Sequence, residues 1–238
     1  FNKNRFHYEW HWQWDYGNGD IGNQGPHQFD VARWGLNKNE HPVKVRSMGG
    51  CFVWKGGIQE TANTQSAVYR YADGKILQFE VRGWYTNKES DAFGKDSAIG
   101  NLFYGSEGWM VINGSKWYTY MGRNGEPGPS SETGKASQKK EEASAASADP
   151  MNLAGAVGDD IFGNFIDAVR AEDPKLLTSD IESGHISSVL PHLANISYRL
   201  DRDLTFDGKT ESFVNDKEAD AMLKRPVQRK NYTIPDAV

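Results

Sequence analysis

The chain has 238 residues, 37% of them hydrophobic and 25% charged, which is enough to bury a core and too apolar for a disordered polymer. A formal net charge of -5 lacks the basic surface that a phosphate backbone demands, so nucleic acid is not an expected partner. No apolar run approaches the roughly 18 residues of a membrane span, and the single cysteine, Cys51, excludes an internal disulfide and a cysteine-rich metal site.

Residues 1–16 carry neither the apolar core of a signal peptide nor an initiator Met, so the chain is expected to be a processed or truncated product. From residue 7 the segment alternates with period two. His7, Glu9, His11, Gln13 and Asp15 fall on one side, and Tyr8, Trp10, Trp12, Trp14 and Tyr16 on the other. That pattern predicts a strand. Its polar side is expected to offer substrate contacts through His11 and Asp15. Its aromatic side is expected to be mostly sheet core, with Trp12 available to stack on a sugar. A metal shared by His7 and His11 is not expected, because residues four apart on a strand stand roughly 13 Å apart.

Gly17-Asn18-Gly19-Asp20 predicts a tight loop, and Pro26 suits the first turn of a helix carrying Phe29, Ala32, Arg33 and Leu36. Residues 43–121 read as antiparallel strands. Among them 67–71 and 76–82 flank the hairpin signal Asp73-Gly74. Residues 124–150 contain no large apolar residue, which predicts a mobile surface loop. Two helices follow. The first has an apolar stripe of Ile161, Phe162, Phe165, Ile166 and Val169, and the second runs from a Thr178/Ser179 cap to about Leu200. A short strand at 204–206 and a helical stretch at 216–223 complete the chain. The sum is an α+β domain spanning 1–238, a large and mostly antiparallel sheet covered on one face by helices. The open face is expected to join copies of the chain into a homo-oligomer.

The most informative stretch is 17–34, GNGDIGNQGPHQFDVARW. It delivers His27 onto a predicted first helical turn, where the helix dipole would favour a neutral imidazole able to act as a base. Asp30, one turn on, is placed to hold the ring in one tautomer. By spacing alone, a His27 that merely packs or caps the helix is the commoner outcome.

This stretch resembles the motif that opens the second domain of Gfo/Idh/MocA oxidoreductases, Asp-x-Gly-x-His followed by x-x-Asp. Asn23-Gln24-Gly25-Pro26-His27 occupies the motif positions and Asp30 matches the later Asp. The resemblance extends through Gly105-Ser106-Glu107-Gly108-Trp109 and Asn195-Ile196-Ser197-Tyr198-Arg199-Leu200. It implies that His27 is the catalytic acid/base, that Asn23, Gln24 and Asp30 join His11, Asp15 and Trp12 in binding a sugar or polyol, and that NAD or NADP accepts hydride. Asn23 departs from the family's Asp, and an amide cannot accept a proton. No Gly-x-Gly-x-x-Gly is read behind a β-strand, and no Glu-Lys-Pro supplies the family's lysine. An upstream Rossmann domain outside this chain is therefore expected to hold the cofactor. Two other readings stand beside this one: a glycosidase or lyase that uses the nicotinamide transiently, and a carbohydrate-binding module without catalysis.

Overall fold

In a computed structural model of the chain, the described residues are 5–54, 56–83, 99–113, 116–132, 161–225 and 230–231. They belong to two compact units, one made of 1–85 and 186–238 and the other of 86–185.

The first unit is built on a five-stranded antiparallel sheet with the order β3-β2-β1-β8-β9. Its strands are β1 (Lys44–Gly50), β2 (Thr64–Arg70), β3 (Ile76–Arg82), β8 (Leu204–Asp207) and β9 (Ser212–Phe213). Alternation in sequence becomes alternation in burial. In β2, Gln65, Ala67 and Tyr69 point inward while Val68 and Arg70 point out. The predicted hairpin is present: Arg70 pairs with Ile76, and Gly74 takes the positive φ of +88° that its turn requires. Helix α1 (Gly19–Leu36) and helix α3 (Ile181–Leu200, residues from Ile186 onward) cover the inner face. Phe29 lies at the centre, edge-on to Tyr69 at 5.5 Å and tilted against Phe79 at 4.6 Å, and Leu190, Leu193 and Ala194 are fully buried beside it.

Several polar groups inside this core are paired, as burial favours. The Tyr69 hydroxyl donates to the Leu190 carbonyl at 2.8 Å. Arg33, 1% exposed, donates through Nε to the Lys38 carbonyl at 3.0 Å and through Nη1 to the Ser187 hydroxyl. Gln65 bridges Ser47 Oγ at 3.0 Å and Asn195 Oδ1 at 3.2 Å.

The second unit has its own four-stranded sheet, β4-β5-β6-β7, so the strands divide between two sheets rather than forming the one broad sheet expected. They are β4 (Asn101–Tyr104), β5 (Gly108–Asn113), β6 (Lys116–Met121) and β7 (Glu126–Ser130). Trp109 stacks on Tyr120 at 4.1 Å across β5 and β6. Strand β7 corrects the expectation of a loop from 124 onward. Glu126 and Pro127 pair with Met121 and Tyr120, and Thr119 Oγ1 donates to the Pro129 carbonyl, which holds a proline-containing segment at the sheet edge. Residues 133–150 of the expected loop lie outside the described residues.

Helix α2 (Ile161–Ala171) forms where predicted, but its apolar stripe is not core. Phe162 is 76% exposed and Val169 58%. The cap of α3 is Asp180, whose Oδ1 accepts from the Ser183 amide at 2.7 Å, rather than Thr178 or Ser179. The last helix, α4 (Lys217–Ala221), is capped by Asp216.

Candidate functional site

The segment predicted as the first strand is a 3-10 turn, Glu9–Trp12, between ordinary turns. His7 has a positive φ of 55°, which breaks extension before the alternation can be used. The rings at 8, 11 and 12 then cluster, with Tyr8 edge-on to His11 at 4.4 Å and His11 against Trp12 at 3.8 Å. This inverts the expected faces. His11 and Gln13 are buried at 6% and 4% exposure, while Tyr8 and Trp10 stand 61% and 46% exposed. His11 Nδ1 is engaged by the Tyr8 carbonyl, and Nε2 has no partner among the described residues. Buried in this way, His11 shapes the turn and is not open to a substrate. Asp15 is exposed, and its carbonyl accepts from Arg225 at 2.9 Å.

Helix α1 begins at Gly19, a full two turns earlier than Pro26 suggested, so Pro26 lies inside it and His27 stands in the third turn. The expected effect of a helix N-terminus on His27 therefore does not apply, since it fades beyond the first turn. Gly17-Asn18-Gly19-Asp20-Ile21-Gly22 does spell Gly-x-Gly-x-x-Gly, yet it follows a 3-10 turn, not a strand. Its glycines are spent on packing. A Cβ at 17 would meet the His11 backbone at 2.3 Å, at 19 the Thr61 side chain at 2.6 Å, and at 22 the Asn18 side chain at 1.9 Å. Entered from a 3-10 turn, this stretch lacks the strand-to-helix turn on which a dinucleotide cradle is built.

One face of α1 carries the motif residues. Asp20, Asn23 and His27 follow at i, i+3 and i+7, the spacing that keeps side chains on one side of a helix. Trp12 Nε1 donates to Asp20 at 3.0 Å, and Asn23 Nδ2 donates to the Tyr8 hydroxyl at 3.2 Å. The turn at 8–12 is thus tied to the helix at two points. Asn23 and His27 are exposed and Gln24 is half-buried. His27 has no hydrogen-bond partner among the described residues. Asp30 does not serve it as an orienting carboxylate: Asp30 Oδ1 accepts from Ser187 Oγ at 2.6 Å and lies 3.6 Å from Arg33, directed to the packing of α1 on α3.

Beside the turn lies a pocket of about 430 Å³, with Trp12 and Trp54 among its walls. Tyr8 and Glu9 belonged to the two faces of the expected strand and reach the site from a turn instead, while Trp54 is a site residue that the sequence reading did not single out. Trp54-Lys55-Gly56-Gly57, an aromatic residue ahead of two glycines after a strand, was the available signal. Cys51 also lines the pocket, and burial pushes its thiol up.

A family model described as the GFO/IDH/MocA C-terminal domain matches residues 1–116, and one described as Oxidoreductase family, C-terminal alpha/beta domain matches 156–234. The chain belongs to the Gfo/Idh/MocA family. No curated protein sequence matches it. Solved structures share the fold of this Gfo/Idh/MocA chain. An aldose-aldose oxidoreductase from Caulobacter crescentus complexed with glycerol is 13% identical with a TM-score of 0.55, covering 84% of this chain and 51% of that one. The WlbA dehydrogenase from Bordetella pertussis in complex with NADH and UDP-GlcNAcA is 14% identical with a TM-score of 0.50, covering 83% and 51%. The chain thus spans about half the length of the solved structures it resembles. The α+β class and the C-terminal-domain assignment expected from sequence are borne out.

Proposed function

We propose that this chain is the substrate-binding part of an NAD(P)-dependent oxidoreductase acting on a sugar or polyol hydroxyl. The observation that carries the reading is the exposed pair Asn23 and His27, one helical turn apart on one face of α1, with Asn23 braced by Tyr8. His27 is the acid/base: a neutral ring nitrogen takes the hydroxyl proton as the carbon is oxidised and returns it in the reverse direction. Asn23 orients that hydroxyl and takes no proton. Gln24 sits beside Asn23 as a further substrate contact. The dinucleotide is held by a part of the protein outside this chain, since the described residues offer it no cradle.

The outward face of the first sheet joins two copies in this reading. Met48, Val68 and Ile76 are 60%, 40% and 62% exposed on it, apolar side chains set among Arg46, Arg70 and Gln78 on a paired surface.

The test is turnover by the full-length protein with a panel of sugars and NAD or NADP. His27→Ala is expected to lower kcat roughly a hundred- to ten-thousand-fold with a modest change in KM. A folded His27→Ala protein with near-normal kcat would overturn the reading. Net formation of reduced cofactor separates an oxidoreductase from a hydrolase that regenerates it.

A further inference from the structure

We infer that the pocket between Trp12 and Trp54 is a subsite for a neutral pyranose ring, the non-reacting ring of a glycoside or disaccharide whose other end meets His27. The pocket itself is argued from its own walls. Only the position of the reacting end rests on the His27 reading.

The pocket is built in advance. Asn63, 2% exposed, accepts from the Phe52 and Val53 amides at 3.0 and 3.4 Å and donates to the Val53 carbonyl at 2.9 Å, which fixes the strand exit on one side. Gln13 Nε2 donates to the Ile58 carbonyl at 2.8 Å and fixes the loop on the other. Between them Trp54 is held at a positive φ of 52° with its side chain exposed. A bulky residue kept in that region is strain that the surrounding hydrogen bonds maintain, and it presents an indole at the pocket wall. A volume of about 430 Å³ falls within the range of small-molecule sites, roughly 300–1,000 Å³.

The walls select the occupant. Two indoles suit the C–H faces of a sugar ring, an apolar surface bearing a polar edge. Among the described lining residues the only carboxylate is that of Glu9, which is exposed. It accepts from a ring hydroxyl and repels an acid, so a neutral ring is preferred to a uronate. Trp12 connects this pocket to Asp20, and His27 lies seven residues further along the same face of α1, roughly 10 Å at 1.5 Å per residue. That rise, from Asp20 to His27, already exceeds one sugar ring, so a ligand that reaches both ends needs at least two linked rings.

Calorimetric titration of the chain with cellobiose, maltose, methyl glucoside and glucuronate tests the inference. A neutral glycoside should bind, and Trp54→Ala should weaken it roughly tenfold while Trp54→Phe retains most of the affinity. Glucuronate should bind more weakly, and Glu9→Gln should remove that difference. His27→Ala should leave methyl glucoside binding unchanged, which separates this inference from the acid/base assignment. Because Cys51 lines the pocket, bound glycoside should also slow its alkylation. Absence of binding by every neutral sugar, equal binding of glucuronate, or full affinity in Trp54→Ala would each overturn the inference.

Discussion

Asn195 Nδ2 donates to the main-chain carbonyl of Asn18 at 2.7 Å, so α3 grips the residue from which α1 starts. The same amide accepts from Gln65 at 3.2 Å, and the position of α1 is therefore set by both the helix beneath it and the sheet. Asn195→Leu fills the space but strands a carbonyl and an amide. Its cost should be about 1–3 kcal/mol in urea unfolding, with the midpoint lowered and the slope unchanged.

Removing the central ring should cost more. Phe29 is fully buried between Tyr69 and Phe79, so Phe29→Ala combines lost transfer energy with a cavity. A loss of about 3–5 kcal/mol is expected in chemical denaturation. A loss below about 1 kcal/mol would mean the core packs differently.

Asn23→Asp places a carboxylate one turn from His27. An added negative charge stabilises the protonated form of a neighbouring imidazole. In the full-length enzyme the acid limb of the kcat/KM profile for hydroxyl oxidation should move to higher pH. An unmoved limb in a variant that still turns over would separate His27 from the titrating group.

Val68→Lys puts a charge on the outward face of the first sheet, beside Arg46 and Gln78 in register. If that face joins copies, the variant should sediment at lower mass than the parent with its circular dichroism unchanged. Equal mass would place the interface elsewhere.

Acid should weaken the end of the first unit. Arg202 lies 2.9 and 3.1 Å from the two oxygens of Asp216, and this ion pair, with the Ala219 amide, holds the Asp216 carboxyl below its ordinary value of 3.8. A carboxyl depressed on folding contributes stability above its unfolded value and loses it as pH falls through the folded one. The loss should therefore appear below pH 3.8, and Asp216→Asn should flatten it. Acid titration followed by near-ultraviolet circular dichroism checks the difference.

Period-two alternation revealed β1 to β3, because one face of each is core and the other solvent, and Asp73-Gly74 fixed the hairpin register. The same rule misread residues 7–16. There the alternating aromatics pack on one another locally, no strand among the described residues pairs with them, and Gly17 folds the chain back onto His11. Local stacking outweighed the pattern. The start of α1 was misplaced because Pro26 was read as a first-turn residue, whereas Asn18 and Gly19, held by Asn195 and Thr61, make the true entry. Those holds come from residues distant in sequence and leave no local mark. His27 and Asn23 were legible as motif positions. Tyr8 was legible only as one aromatic of an expected strand, and Trp54 not at all, since each joins the site through the path of a loop.

Proline 26 has one more consequence. Lacking an N–H, it leaves the Gly22 carbonyl without its helical donor, so one rung of α1 is absent between Asn23 and His27. Ahead of that gap Ile21 is locked at 1% exposure, and behind it Phe29 is locked completely. The helix is therefore compliant at one level and stiff on either side, like a jaw with its pivot between the teeth. Bending at that level opposes one intrahelical bond fewer than elsewhere in the helix and changes the distance between the two side chains that are to hold a hydroxyl.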